Sequence, residues 1–353
     1  MRDWSEAPAL FDAATYPSLV VAQRLPTDDP MRSNTVHIAV TRRTRTHRFS
    51  TPALHLALAG DPAAPWILLP PHAHDAFERL RRAGPALGES ALGRPTLGVK
   101  CGCNAAFLVH ATEGDDDLAN IIADDRVGSI ERHMLRPALR GDSIHDAAHP
   151  RRTIARPRTV TGELHILWTH GMDGKPLPTL PPRASRWLGH WRRQLDARRD
   201  ARHRAAWWTL FRTDSARHDA TRLVWADIGK RLRTRVLTAG DPTVPLNSCY
   251  VLRTPSDHDA WAVSALLASP ICTAWLDCLA EPARGGFKRY LGWTVASLPM
   301  PANWLTARIT LAELGVRLAS SSTVTPEEQI DIVADAYGIP VASLQPLLDW
   351  NAP

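Results

Sequence analysis

Arg284, Lys288 and Arg289 interleave with Phe287, Tyr290 and Trp293 in the segment RGGFKRYLGW at 284–293. Cations beside flat rings on a Gly-Gly turn suit contact with the backbone and bases of a nucleic acid. The same segment also reads as a buried glycine corner with core aromatics and solvated charges. Arg136, Arg140 and Asp142 stand together in LRPALRGDSI at 135–144, an arrangement that serves base reading or an internal ion pair equally. Asn247, Ser248 and Tyr250 occur in VPLNSCYVL at 244–252, at the mouth of a strand, and asparagine can make paired hydrogen bonds to the edge of adenine. Lys100 and Asn104 lie in GVKCGCNAAFLVH at 98–110, where Gly98 and Gly102 permit backbone conformations or close approaches that a side chain blocks.

A catalytic constellation is missing. There is no G-x-G-x-x-G, no phosphate-binding P-loop and no G-x-S-x-G elbow. His72 and His74 suggest a metal pair, but no carboxylate or cysteine at a recognised spacing joins them in a chain with 15 histidines. Cys101 and Cys103 are two apart, whereas Cys272 and Cys278 are six apart, so the zinc pattern is incomplete. Five cysteines, an odd number, do not make a disulfide framework and fit a reducing compartment. A nuclease reading lacks its acidic pair followed by a lysine on one strand.

The elements that must carry these residues are a mixture of strands and helices. Apolar runs at 18–22 (SLVVA) and 35–40 (TVHIAV) read as edge strands of a sheet whose remainder is expected from elsewhere, the second leading into the basic stretch TRRTRTHR. An amphipathic helix is expected over 74–83, with Phe77 and Leu80 on one face. A loop-rich stretch at 141–185 interrupts a strand at 164–168. A strongly basic helix is expected over 183–208, with Trp187, Trp191 and Leu195 on one stripe and Arg183, Arg186 and Arg192 among the cations on its other faces. Those cations either meet phosphates or are simply solvated. Further helices are expected over 257–268 and from Thr325 onward, where Thr caps and Pro fills the first turn.

At 353 residues and 44% hydrophobic, the chain can bury sizeable cores in two or three domains. No run of about 18 uncharged apolar residues occurs and no basic-then-apolar leader begins it, so no membrane span or signal peptide is expected and the cytoplasm is the expected compartment. Net charge is +6, and lysine occurs only as Lys100, Lys175, Lys230 and Lys288. Arginine's planar fork suits phosphates and guanine edges, although a GC-rich genome also favours Arg, Ala and Pro codons.

Taken in order, these segments resemble the C-terminal half of the fused, Eco57I-like adenine-N6 DNA methyltransferases, including Type IIG restriction-modification enzymes, with a TaqI-like specificity (target-recognition) domain. FDAATYPSLVV at 11–21 resembles the last strands of the catalytic domain just past its active-site motif, and GVKCGCNAAFLV resembles the glycine-bearing turn that opens the recognition domain. LRPALRGDSI, PPRASRWLGHW, RLVWADIG, VPLNSCYVL, ASPICTAWL, EPARGGFKRYLGWTVASLPMP and AYGI follow in the family's order. The departure is as plain as the match. Such enzymes bind S-adenosylmethionine through a glycine-bearing loop and hold the flipped adenine with (N/D)-P-P-(Y/F). In PPHAH at 70–74 no Asn or Asp precedes the prolines and no Tyr or Phe follows them.

The resemblance therefore implies an α+β chain. It would comprise a partial methyltransferase-like sheet and linker at 1–90, a mixed DNA target-recognition domain at 91–300, and a helical tail at 301–353. The implied partners are double-stranded DNA and a separate catalytic polypeptide, on which S-adenosylmethionine would bind. The chain itself would need no cofactor, metal or membrane and would have no catalytic residues of its own. The implied DNA contacts are Lys100, Asn104, Arg136, Arg140, Asp142, Arg183, Arg186, Arg192, Asn247, Tyr250, Arg284, Lys288, Arg289 and Tyr290. The setting would be restriction-modification or phage defence. A second reading is a stand-alone DNA-binding or interaction protein without enzymatic role.

Overall fold

A computed structural model of the chain describes residues 1–7, 17–22, 35–42, 44–61, 63–144, 162–198, 206–283, 285–320 and 323–352. Arg284, part of the 11–21 run and part of the expected basic helix lie outside the described residues. At the start of the chain, β1 (Arg2–Glu6), β2 (Ser18–Leu19), β3 (Thr35–Arg42) and β4 (Arg45–Pro52) form a sheet in the order β2-β1-β3-β4. The alternation in TVHIAV makes β3 two-faced: Ile38 and Val40 turn inward with Leu56, and their neighbours turn out. Of the basic stretch, Thr41 and Arg42 end β3 and Arg45, His47 and Arg48 lie on the return strand β4, the two strands paired from Thr35↔Pro52 to Arg42↔Arg45. The expectation that these strands await a sheet from elsewhere gives way to pairing among themselves, with β1 parallel to β3 and antiparallel to β2. β2 is an edge, as 18–22 suggested.

α1 (Pro71–Arg81) begins on a proline whose missing N–H costs nothing at a first turn, and it buries Phe77 and Leu80 completely. β5 (Thr96–Leu97) and the short α2 (Asn104–Phe107) precede β6 (Leu108–Glu113), β7 (Leu118–Ala123), β8 (Arg126–Glu131), β9 (Leu135–Leu139) and β10 (Glu163–Leu167). The basic segment folds not as one helix but as α3 (Pro182–Gly189) and α4 (Arg192–Asp196). Gly189 is a weak helix former, and Trp191 at φ −106°, ψ 9° leaves the helical region. The break lets Trp187 and Leu195 both enter the core beneath the sheet.

β11 (Thr221–Ala226), β12 (Ile228–Gly229), β13 (Thr234–Leu237), β14 (Val244–Pro245) and β15 (Cys249–Thr254) follow. α5 (Asp257–Ala268) and α6 (Pro270–Asp277) then lead to the hairpin β16 (Glu281–Ala283) and β17 (Phe287–Arg289). Three further sheets result, ordered β14-β9-β10-β6-β7-β8, β13-β11-β15-β5 and β12-β17-β16. α7 (Gly292–Ala296), α8 (Trp304–Ala319), α9 (Pro326–Tyr337) and α10 (Val341–Asn351) complete an α+β protein whose C-terminal region is helical.

α5 is apolar on all sides because it is enclosed. It packs on β11, β13 and β15, and α8 crosses it so closely that a Cβ on Gly315 would lie 2.2 Å from the Trp261 carbonyl oxygen. Ser256 caps α5 by accepting from the Asp259 amide at 3.1 Å, and Thr325 caps α9 by accepting from Glu328 at 3.2 Å. The largest core joins α1 to these helices, with Phe77 stacked on Trp275 at 4.8 Å. Glu6 of β1 clamps the N-terminal sheet to the rest: its carboxylate receives Arg42 at 2.5 Å and Lys288 of β17 at 3.0 Å, and Arg42 also lies over Trp350 of α10. Among the described residues no single helix is long and apolar enough to cross a membrane.

Candidate nucleic-acid interface

Four segments far apart in the chain are stitched together by backbone hydrogen bonds around β14. Gly98 donates to Cys249 at 2.9 Å, Val99 to Pro245 at 2.8 Å, Leu246 to Leu139 at 2.9 Å and Asp227 to Ser248 at 3.0 Å. The Gly141 amide donates to the Ser248 hydroxyl at 2.9 Å. Glycine is required at two of these joints, because a Cβ on Gly98 would sit 2.2 Å from the Leu246 carbonyl oxygen and one on Gly141 would sit 2.4 Å from that of Ser248. A fifth segment joins where the Tyr290 amide donates to Asp227 at 2.9 Å. Lys100, Asn104, Arg140, Asp142, Asn247 and Arg289 emerge exposed on these segments.

Arg140 and Asp142 form an ion pair at 3.6 Å with both side chains more than half exposed, so the pair adds little stability and both groups can meet a ligand. Burial pushes the Asp227 carboxyl above the usual carboxylate range, and nearby Arg289 opposes that rise. Cations outnumber anions across the cluster, and the mixture of amide, carboxylate and guanidinium supplies donors and acceptors for base edges.

A second basic surface lies at the far edge of the six-stranded sheet. Five interstrand steps of about 4.8 Å separate β14 from β8, or roughly 24 Å. There α3 packs on β8, and Gly128 lets the Trp187 ring approach to 3.1 Å of where a Cβ would stand. The groove between them, about 460 Å³, is lined by Arg126, Arg183, Arg186 and His190 with Asp125 and Ser129. Glu131 accepts from the Arg183 and Ala184 amides at 2.9 and 3.0 Å, so the helix N-terminus is already satisfied and anion binding falls to side chains. Arg183 donates to Ser129 at 2.5 Å, while Arg186 makes no hydrogen bond or ion pair with the described residues. Arg192 is not part of this groove's lining and is instead paired with Asp196 at 3.0 Å and stacked over Trp207 at 4.5 Å.

Three expected contacts are spent inside the protein. Arg136 donates to the Pro242 and Ala216 carbonyls at 2.8 and 2.9 Å and lies over Trp168, and burial lowers its guanidinium to about 10. Lys288 is held by Glu6 and the Asp277 carbonyl. Tyr290 is fully buried, its hydroxyl donating to Asp277 at 2.9 Å. Tyr250 is half-buried against Trp225. Conversely, exposed Lys230, Arg231 and Arg235 follow β12, and Lys230 lies 5.7 Å from the centre of the Phe287 ring. The run KRLRTR at 230–235 was the available signal for them, and Arg126 was hidden in sequence behind Asp124 and Asp125.

Metal chemistry finds no cluster of three or more His, Cys, Asp or Glu ligands among the described residues. His74 stacks on His55 at 4.2 Å, and burial and that neighbour lower its pKa. All five cysteines are free, and burial pushes the Cys101 and Cys249 thiols up to about 12, where they are poor nucleophiles.

No protein-family model matches the chain, and no curated protein matches it. Among solved structures the chain is similar to the Type IIL restriction-modification enzyme MmeI in complex with DNA, at 10% identity and a TM-score of 0.45, over 91% of this chain and 39% of that one. The chain thus spans about two fifths of the length of that enzyme.

Proposed function

We propose that this chain is the double-stranded DNA recognition subunit of an adenine-N6 DNA methyltransferase of the restriction-modification type, with S-adenosylmethionine binding and methyl transfer carried by a separate polypeptide. The observation behind this reading is the meeting of segments 98–100, 139–142, 226–229, 245–249 and 287–290 in one loop cluster, with Lys100, Arg140, Asp142, Asn247 and Arg289 at its surface. These are the segments whose order in the chain resembles the family. Asn247 suits the adenine edge and Asp142 the amino group of cytosine, while Lys100, Arg140 and Arg289 suit phosphates or guanine. Arg126, Arg183 and Arg186 would grip the backbone farther along, since a spacing of roughly 24 Å corresponds to about seven base-pair steps of about 3.4 Å.

The sequence supports placing S-adenosylmethionine on the separate polypeptide. The N-terminal sheet would be the place for it, but no glycine precedes Gly60, so its loops lack the glycine that lets backbone approach the cofactor. Chemistry on a base needs that base extruded at a cost of a few kcal/mol, and a subunit that grips the duplex helps meet it.

Anisotropy titration of the chain with mixed-sequence duplex DNA at two salt concentrations tests the reading. Each phosphate contact contributes a slope of about 0.9 in log affinity against log salt. Binding with a slope of several such steps is expected; no binding at low salt, with or without a catalytic polypeptide, would sink it. One observation favours the stand-alone alternative: the N-terminal strands pair with each other and are clamped by Glu6, so they need no outside sheet. Light scattering after co-expression with a methyltransferase polypeptide carrying the missing proline-proline motif separates the two, a stoichiometric complex supporting the subunit reading and two independent species supporting the alternative.

A further inference from the structure

Beside the loop cluster, between β5, the 84–89 turn and α7, runs a groove of about 770 Å³, within the size range of small-ligand sites. Its walls combine flat rings with the cations Arg94 and Arg212, the exposed carboxylate of Glu89 and an Arg81 already paired with Glu78. Trp293 is 40% exposed there, and the Tyr250 ring lies against Gly292, where a Cβ would come within 2.8 Å of it. Arg94 and Arg212 line the same groove, both exposed, and among the described residues neither guanidinium has a hydrogen-bond or ion-pair partner. Arg212 sits at φ 58°, ψ 38°, a left-handed conformation that bulky side chains seldom adopt and that gathers at functional positions. It is held there by its neighbour Phe211, whose backbone exchanges two 3.0 Å hydrogen bonds with Lys100.

We propose that this groove binds a single unpaired nucleotide, its base against Trp293 and Tyr250 and its phosphate between Arg94 and Arg212. An aliphatic ligand would leave the guanidiniums unmatched, and inorganic phosphate would leave the rings unused. A planar heterocycle carrying an anion matches both, through stacking that every base can supply and the arginine fork that suits phosphate. Where the nucleotide comes from rests on the DNA reading: the groove contains Tyr250 and Arg212, which adjoin Asn247 and Lys100 in the loop cluster, so a nucleotide turned out of a duplex held there has a short path in. A free nucleotide has the same chemistry.

The test uses the full chain and three probes: a fully paired duplex, the same duplex with one unpaired 2-aminopurine, and adenosine 5′-monophosphate. Anisotropy of a distant dye reports affinity and 2-aminopurine emission reports stacking. The unpaired duplex is expected to bind about tenfold tighter than the paired one, within what stacking of one base supplies, with quenched 2-aminopurine. Trp293→Ala and Arg94→Ala, each verified as folded by circular dichroism, are expected to abolish the preference and leave paired-duplex binding unchanged. Equal affinities without Trp293-dependent mononucleotide binding, or a preference that survives both substitutions, overturn the inference. Trp293-dependent binding of the unpaired duplex or the mononucleotide without any binding of the paired duplex upholds the groove and overturns the DNA reading. Trp293-dependent mononucleotide binding with no preference between the duplexes upholds the groove and overturns the duplex as its source.

Discussion

Lys100, Arg140, Asp142 and Asn247 are marked in the sequence as polar or charged groups on glycine-bearing turns and at strand ends, and they reach the surface of one loop cluster. Arg136, Lys288 and Tyr290 looked the same on paper. Their partners, the Pro242 and Ala216 carbonyls, Glu6 and Asp277, are set by the tertiary fold, and no local pattern distinguishes a solvated cation from one that seals a buried carbonyl. Gly141 shows the glycine logic most sharply. Gly141→Ala is expected to lower stability by about 1–3 kcal/mol, because the obstacle to its Cβ is the Ser248 backbone oxygen rather than a side chain that can swing aside; equal urea midpoints for the two proteins would contradict this. Arg186, without a partner among the described residues, behaves oppositely. Arg186→Ala should leave thermal unfolding unchanged while reducing the salt slope of duplex binding by about one phosphate contact, as measured by anisotropy across a salt series.

Elements with strong local signals appear at or near their expected places: α5 at Asp257–Ala268, α9 after the Thr325 cap, and α1 over its Phe77 and Leu80 face but at Pro71–Arg81 rather than 74–83, because Pro71 fills its first turn. The basic segment misled because Trp187, Trp191 and Leu195 keep helical spacing through a break after Gly189, at Trp191, and spacing alone does not reveal a corner. The N-terminal strands misled for another reason, since a parallel partner for β1 lies beyond the 23–34 stretch and no motif marks it. Their docking should depend on acid. Burial favours a higher Glu6 pKa, but Lys288 and Arg42 outweigh it and hold the carboxyl below its usual 4.5. A depressed folded-state pKa contributes stability that is present above the unfolded value and lost as pH falls through the folded one. The chain is therefore expected to weaken on acidification below pH 4.5, and Glu6→Gln to lose about 1–3 kcal/mol at neutral pH and to flatten that limb. Parallel unfolding curves for both proteins from pH 6 to 3 would refute the clamp.

At the scale of the whole molecule, the order of motifs along the chain was readable, whereas their meeting in space was not. Val244 pairs with Ala138 and Tyr250 with Leu97, and both pairings span more than a hundred positions. Contacts between such distant positions form slowly, because the loop between them must be closed before any bond rewards it. The surface that carries Lys100, Arg140 and Asn247 is held together by pairings of this kind, whereas α5, α6, α8 and α9 pack on one another across shorter separations and only α10 reaches back to α1. In a refolding experiment the helical circular-dichroism signal is expected to recover first and duplex binding to lag behind it; simultaneous recovery would contradict this. Refolding would then restore the bulk of the protein before this surface, and in that interval a ligand of the surface would meet a compact body with nothing yet shaped to hold it.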